Sequence, residues 1–214
     1  MMTLNEQAYE HLKKMITEDQ LSYQEIYSET KLAKELGISR TPFRDAIHRL
    51  VQEGYIDIIP SKGFRLHQLT KQDVTETFQV RPALETYCTM EITRTHTSRK
   101  AKRLFRELRF NMEEMKEILD TTQSIQDFCT YDFQFHVAVV RYLENQQFSA
   151  IFDTFMYRMQ RLAQMSLSHP GRMEDTYNEH LAILEAMEAG DTAHIYDITL
   201  RHMDVPRGIN LEDL

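Results

Sequence analysis

Residues 29–66 read ETKLAKELGISRTPFRDAIHRLVQEGYIDIIPSKGFRL. Ser28 stands before this stretch as a candidate N-cap, and Leu32, Ala33 and Leu36 share one face of a short helix that Gly37 stops. Ser39 is positioned to cap a second helix over about 39–53. Its apolar face is Phe43, Ala46, Ile47, Leu50 and Val51, and Gly54 ends it. Pro42 falls within the first turn, where a missing amide costs little. The tract YIDII (55–59) is β-branched and alternating, PSKG (60–63) reads as a turn, and FRLH (64–67) reads as a return strand. Helix, tight turn with one glycine, helix and two-stranded hairpin, in that order, predict a winged helix-turn-helix.

That arrangement points to double-stranded DNA. The start of the second helix would present Arg40, Thr41 and Arg44 outward while the apolar residues face inward. An arginine can hold guanine O6 and N7 by two hydrogen bonds in the major groove. Ser39 and Thr41 suit phosphate contacts near the positive helix end. Lys62 and Gly63, at the hairpin tip, would reach phosphate or the minor groove. The competing reading is a helix pair that only packs and arginines that are only solvated. The hairpin that follows at once argues against it.

Working outward, Leu4, Ala8, Leu12 and Ile16 make an apolar stripe on a first helix, about 3–18, followed by the connector DQLSYQEIY. From Thr70 onward the periodicity is helical to the end. Thr70 and Asp73 resemble a capping box opening a helix to about Thr95, with a break or kink expected near Val80–Arg81 because of Pro82. Further helices are expected from Ser98, over about 125–143, 146–168 and 173–189, and over 191–204 with Asp191 as N-cap. The predicted fold is mainly all-α. A winged helix-turn-helix spans 1–69, a linker or helix start spans 70–77, and an antiparallel α-helical bundle of six or so helices spans 78–214.

Bulk properties agree with a soluble, cytoplasmic chain. Hydrophobic residues are 42% and charged residues 27% of 214, no apolar run approaches a membrane span, and the N-terminus lacks a signal-peptide core. Cys88 and Cys129 form no CxxC pair and are expected as buried free thiols. The net charge of −8 divides unevenly: residues 1–67 carry −1 and residues 68–214 carry −7. A nearly neutral first part can still present a local basic surface, which is what DNA feels within about 10 Å.

Of nine histidines, three invite a role. Asp132 and His136, four apart on one helix, project from the same face, either as a simple hydrogen-bonded pair or as two ligands of one metal ion. His180 and His202 lie on the last two helices, which a helical hairpin can bring to the same point.

Two resemblances sharpen these readings. The quoted stretch, with SRTP, Arg44, Ala46, Arg49-Leu50, Glu53-Gly54 and Gly63 in register, resembles the winged helix of GntR-family regulators. It implies that Arg40, Thr41 and Arg44 contact DNA, that Gly63 lies at the wing tip, and that Arg49 faces phosphate or is structural. The chain departs from the family pattern upstream, where Asp19-Gln20 and Tyr23-Gln24 replace the usual Gly and Pro-Gly. The segments YDFQFHVAVV, NEHLAILEAMEAGD and LRHM resemble the ligand segments of the FadR-type C-terminal domain. This implies a divalent metal ion (Zn, Ni or Mn) held by Asp132, His136, His180 and His202. Arg81 matches an arginine that opens the first long helix of such domains. It would clamp the carboxylate of a small organic acid effector, or else pair with Glu85, which is read as structural. The implied protein is a homodimeric regulator, a repressor in the first instance, on a pseudo-palindromic operator. A metal hydrolase is the rival, but the chain has no H-E-x-x-H motif and no base that can be placed beside the metal.

Overall fold

The computed structural model describes residues 2–18 and 20–214; the departure at Asp19 lies outside them. The chain divides into two compact units, Met1–Leu69 with Thr154–Arg158, and Thr70–Asp153 with Met159–Leu214.

The first unit holds α1 (Leu4–Thr17), α2 (Glu29–Glu35), α3 (Arg40–Gln52), β1 (Ile56–Ile59) and β2 (Gly63–Leu66). Thr3 and Glu6 cap α1 reciprocally, satisfying two backbone amides that lack helical partners. Ala8, Leu12, Phe43, Ile47, Leu50 and Phe64 are essentially sealed from solvent and form one core from α1, α3 and the wing. The strands are antiparallel, with Ile56 opposite Leu66 and Ile59 opposite Gly63. Arg49 lies 3.7 Å over the Tyr9 ring and donates to Glu53 at 2.9 Å, and Glu53 also accepts from the Tyr9 hydroxyl. It therefore ties α3 to α1.

The connector adds a feature that periodicity did not suggest. Tyr27 donates to the Phe64 carbonyl at 2.7 Å and accepts from its amide at 3.0 Å, lending the wing a third, one-residue rung. A Cβ on Gly63 would lie 2.0 Å from the Tyr27 carbonyl oxygen, and Gly63 has φ +129°, a value that L-residues rarely adopt. Gly63 is thus required by the backbone whatever it does at DNA. Gly63→Ala is expected to destabilise this unit by roughly 2–4 kcal/mol, while Lys62→Ala, at the exposed neighbour, should stay within about 0.5 kcal/mol. Thermal unfolding of the two variants checks this.

The second unit is a six-helix bundle: α4 (Lys71–Arg94), α5 (Arg99–Asp120), α6 (Ile125–Arg141), α7 (Gln146–Leu167), α8 (Arg172–Ala189) and α9 (Ile195–Asp213). The α7 segment Thr154–Arg158 groups with the first unit. Thr70 and Asp73 form the expected capping box. Of the break or kink expected near Val80–Arg81, the break does not occur: α4 runs as one helix through Pro82. Proline removes one helical hydrogen bond and costs about 3 kcal/mol. Burial of Val74, Phe78, Leu84, Cys88 and Ile92 along the same helix outweighs that cost.

The last helix also differs from expectation. It starts at Ile195 rather than 191 and continues past 204, through Pro206 and Gly208, to Asp213. Asp191 caps a preceding turn, accepting from the His194 amide at 3.2 Å. Packing of α9 along α4, where Thr89 bonds Thr199 at 3.1 Å and Met203, Pro206 and Asn210 are buried, carries the helix through its local breakers. Cys88 and Cys129 are free and buried, and burial pushes both thiols up to about 12. Among the described residues no helix is long and apolar enough to cross a membrane.

Candidate functional site

Two sets of residues stand out, one in each unit. In the first, Ser39 occupies the N-cap position of α3, but its hydroxyl makes no capping bond, contrary to expectation. Ser39, Arg40, Thr41 and Arg44 are all exposed, while Phe43, Ala46, Ile47 and Leu50 are buried behind them. Arg44 is 67% exposed, with its Nε 3.9 Å from Glu29. Lys62 is exposed in the wing turn and Gly63 begins β2.

In the second unit α6 carries Asp132 and His136, α8 carries His180, and α9 carries His202, all buried. The His136 Nε2 lies 3.0 Å from His180 Nε2 and 3.3 Å from His202 Nε2. Asp132 Oδ1 is 3.6 Å from His180 Nε2 and 4.0 Å from His136 Nε2. The ligating atoms of the three histidines fall within 4.8 Å of one another. Metal–nitrogen bonds of about 2.1 Å require neighbouring ligand atoms roughly 3.0–3.4 Å apart, a spacing that the His136–His180 and His136–His202 pairs meet and that Asp132, at 3.6 and 4.0 Å, exceeds.

The outer nitrogens decide what the inner ones present. His180 Nδ1 bonds the Thr176 carbonyl at 2.9 Å. A carbonyl only accepts, so His180 carries its proton on Nδ1 and a lone pair on Nε2. His202 Nδ1 donates to Glu179 at 2.8 Å, and His136 Nδ1 lies 2.5 Å from Glu85 Oε2. The other Glu85 oxygen accepts from Arg81 Nε at 2.7 Å, and Glu179 accepts from Arg172 at 2.9 Å. Two parallel chains, Arg81–Glu85–His136 and Arg172–Glu179–His202, thus aim imidazole lone pairs at one point. Lone pairs at this spacing repel unless a proton or a metal cation lies between them. The donor set therefore fits a divalent ion, which would supply Lewis acidity and open positions for an anionic ligand.

The local electrostatics agree. Burial lowers His136 and His180 well below the ordinary imidazole value and lowers His202 against the pull of Glu179, keeping all three neutral as ligands. Burial pushes the Asp132 carboxyl up to about 7, with Arg81 opposing. Burial alone would raise Glu179, but its bonds from His202 and Arg172 hold it below the ordinary carboxylate value. Burial raises Glu85, against the Arg81 guanidinium.

Of the predicted residues, the fold brings Asp132, His136, His180 and His202 together and places Arg81 in a small cavity beside Asp132 and His202. Arg81 also makes the pairing with Glu85 that was its alternative role. Sequence reasoning missed Glu179, Arg172 and Thr176, and it gave Glu85 no part in the site. The available signal was the spacing of Arg172, Thr176 and Glu179, which puts them on one face of the helix that carries His180. Removing the acceptor behind His136 tests the arrangement. Glu85→Gln is expected to weaken metal binding about 10–100-fold, read by competition against a chromogenic chelator.

Comparison with known proteins follows the same lines. The profile of the FCD domain matches residues 76–205, and that of the bacterial regulatory proteins, gntR family, matches residues 4–66. The chain is 39% identical over 79 residues to the uncharacterized HTH-type transcriptional regulator YdhC of Bacillus subtilis, a match covering 37% of this chain and 35% of that protein. It is 28% identical over 163 residues to the probable D-xylose utilization operon transcriptional repressor of Paenarthrobacter nicotinovorans, covering 76% and 69%. The solved structure of E. coli McbR/YncC superposes with a TM-score of 0.76 at 18% identity, covering 100% of this chain and 99% of that one. A putative GntR regulator from Rhodococcus gives a TM-score of 0.79 at 14% identity, covering 98% of each. The wing, the six-helix bundle and both profile matches make this chain a member of the bacterial GntR family of transcriptional regulators, with an FCD domain as its C-terminal part.

Proposed function

We propose that the chain is a homodimeric repressor whose operator affinity is set by a small carboxylate bound beside a metal ion in the FCD domain. The ion, Zn²⁺, Ni²⁺ or Mn²⁺, would be held by Asp132, His136, His180 and His202, with Arg81 clamping the carboxylate. Ser39, Arg40, Thr41 and Arg44 would enter the major groove, with Lys62 and Gly63 at the flanking backbone, and two protomers would read a pseudo-palindrome. The observation that carries the reading is the convergence of three buried imidazole nitrogens next to Arg81. A metal with open positions and an arginine together recognise a carboxylate, and the exposed face of α3 supplies the output. For the acid to act as a signal it must bind one dimer arrangement better than the other.

The test is selection of bound sequences from a random DNA pool by the full-length chain. Affinity for the selected site is then measured with metal-loaded and chelated protein, with and without short carboxylic acids. A two-half-site sequence is expected, with affinity that falls with salt at a log–log slope of about −0.9 per phosphate contacted. An effective acid should change that affinity about 5–150-fold. A flat salt titration removes the DNA reading. No response to any acid, with metal bound, leaves the ion a structural role only.

A further inference from the structure

The cavity beside the histidine cluster contains more polar capacity than a carboxylate clamp uses. It is lined by Arg81, Asp132, Ser166, Arg172, Thr176 and His202, among others. Arg172 is 7% exposed and Ser166 2% exposed. The Arg172 Nη atoms are occupied, bonding Glu179 and Thr176. Its Nε, however, is buried and makes no hydrogen bond among the described residues, and the same holds for the Ser166 hydroxyl oxygen. Buried donors are almost always satisfied, so two unsatisfied donors lining one cavity mark a place where an acceptor is expected.

We infer that Arg172 and Ser166 form a second subsite, which takes an uncharged oxygen of the effector and so selects a hydroxylated monocarboxylate over a dicarboxylate. This rests on the effector reading above. The charge balance makes the choice. Arg81 is matched by Glu85 and Arg172 by Glu179, so neither guanidinium asks for a new counter-charge of its own. Asp175, 3.7 Å from Arg172, is 66% exposed and faces water. A divalent ion with Asp132 leaves one net positive charge, which a single carboxylate neutralises. A second carboxylate would leave buried negative charge uncompensated, which is strongly unfavourable. A hydroxyl oxygen instead accepts from Arg172 Nε–H and can exchange a hydrogen bond with Ser166. The cavity offers about 20 Å³, room for one water-sized group, so it seats a hydroxyl oxygen and not a second carboxylate.

The experiment uses the full-length, metal-loaded chain and calorimetric titration with butyrate, 2-, 3- and 4-hydroxybutyrate, and succinate. At least one hydroxybutyrate is expected to bind about tenfold or more tightly than butyrate, and succinate more weakly than that isomer. In Ser166→Ala the preference over butyrate should shrink at least threefold, with butyrate affinity and metal content unchanged. Arg172→Lys serves as a second variant, which keeps the charge but loses Nε, and its metal content is measured alongside. Equal binding of butyrate and all three isomers overturns this inference while leaving the effector reading standing, as does tightest binding by succinate. A preference that survives intact in both variants overturns it as well. No binding by any of the five acids overturns this inference; the effector reading falls only if no short carboxylic acid changes operator affinity.

Discussion

The His136→Ala protein is expected to hold a divalent metal roughly a hundredfold to a thousandfold more weakly than the wild type. A protein site worth about 10–16 kcal/mol shared over four ligands loses about 2.5–4 kcal/mol with one of them. His136 Nε2 lies 3.0 and 3.3 Å from the Nε2 atoms of the other two imidazoles, so its loss opens the centre of the cluster. Metal analysis after dialysis reads the effect directly. A second readout separates ligation from packing. If the metal binds the native state alone, it stabilises by RT ln(1 + [M]/Kd), about 2.7 kcal/mol at a hundred times Kd. In the wild type, a chelator should therefore lower the melting temperature of the FCD domain. In His136→Ala the chelator should change nothing, whatever the variant's own stability. His194→Ala, at an exposed histidine on the approach to α9, is the control and should keep full metal. Full occupancy in His136→Ala after dialysis would remove the proposed centre.

The contrast between these two histidines shows what a sequence can and cannot display. The Asp132–His136 pair is legible because a single helix supplies both residues at a spacing of four. The addition of His180 and His202 needed the family resemblance, since no local rule brings α8 and α9 to α6. The residues behind the ligands were less visible still. Glu85 and His136 are 51 residues apart, and Glu179 and His202 are 23 apart on different helices. No periodicity links such pairs. The winged helix was the opposite case. Its helix boundaries, turn and hairpin depend on capping residues, glycines and β-branched alternation that all act within a few positions. The errors came where tertiary packing overrode local chemistry. Pro82 interrupts nothing, Pro206 and Gly208 sit inside α9, and Asp191 caps a turn before α9 and not the helix itself. In each of these helices the buried face is long enough for packing to outweigh one lost backbone bond. Likewise the Tyr27–Phe64 rung, which forces glycine at 63, joins residues 37 positions apart and left no mark in either local pattern.

Arg44→Ala is expected to lower affinity for the selected operator by about 2–6 kcal/mol, if each of two protomers loses one arginine–base contact worth about 1–3 kcal/mol. The side chain is placed for such a role. It is 67% exposed on α3, one turn beyond Arg40, and its nearest ion-pair partner, Glu29, is 3.9 Å away. A surface pair at that distance contributes little, so a DNA base can compete for the guanidinium at small cost. Because the residue is exposed, the variant's stability should stay within about 0.5 kcal/mol of the wild type, which excludes unfolding as the cause of lost binding. Charge and base recognition then have to be told apart. Arg44→Lys keeps the charge but lacks the planar fork, so it should retain binding to random DNA and its salt slope while losing discrimination for the operator. Arg44→Ala should lose both, with the slope reduced by about one per protomer. If operator and random DNA were bound in the wild-type ratio by both variants, Arg44 would be a phosphate contact at most. Sequence reading would then have to come from Arg40, its neighbour one turn earlier on the same exposed face.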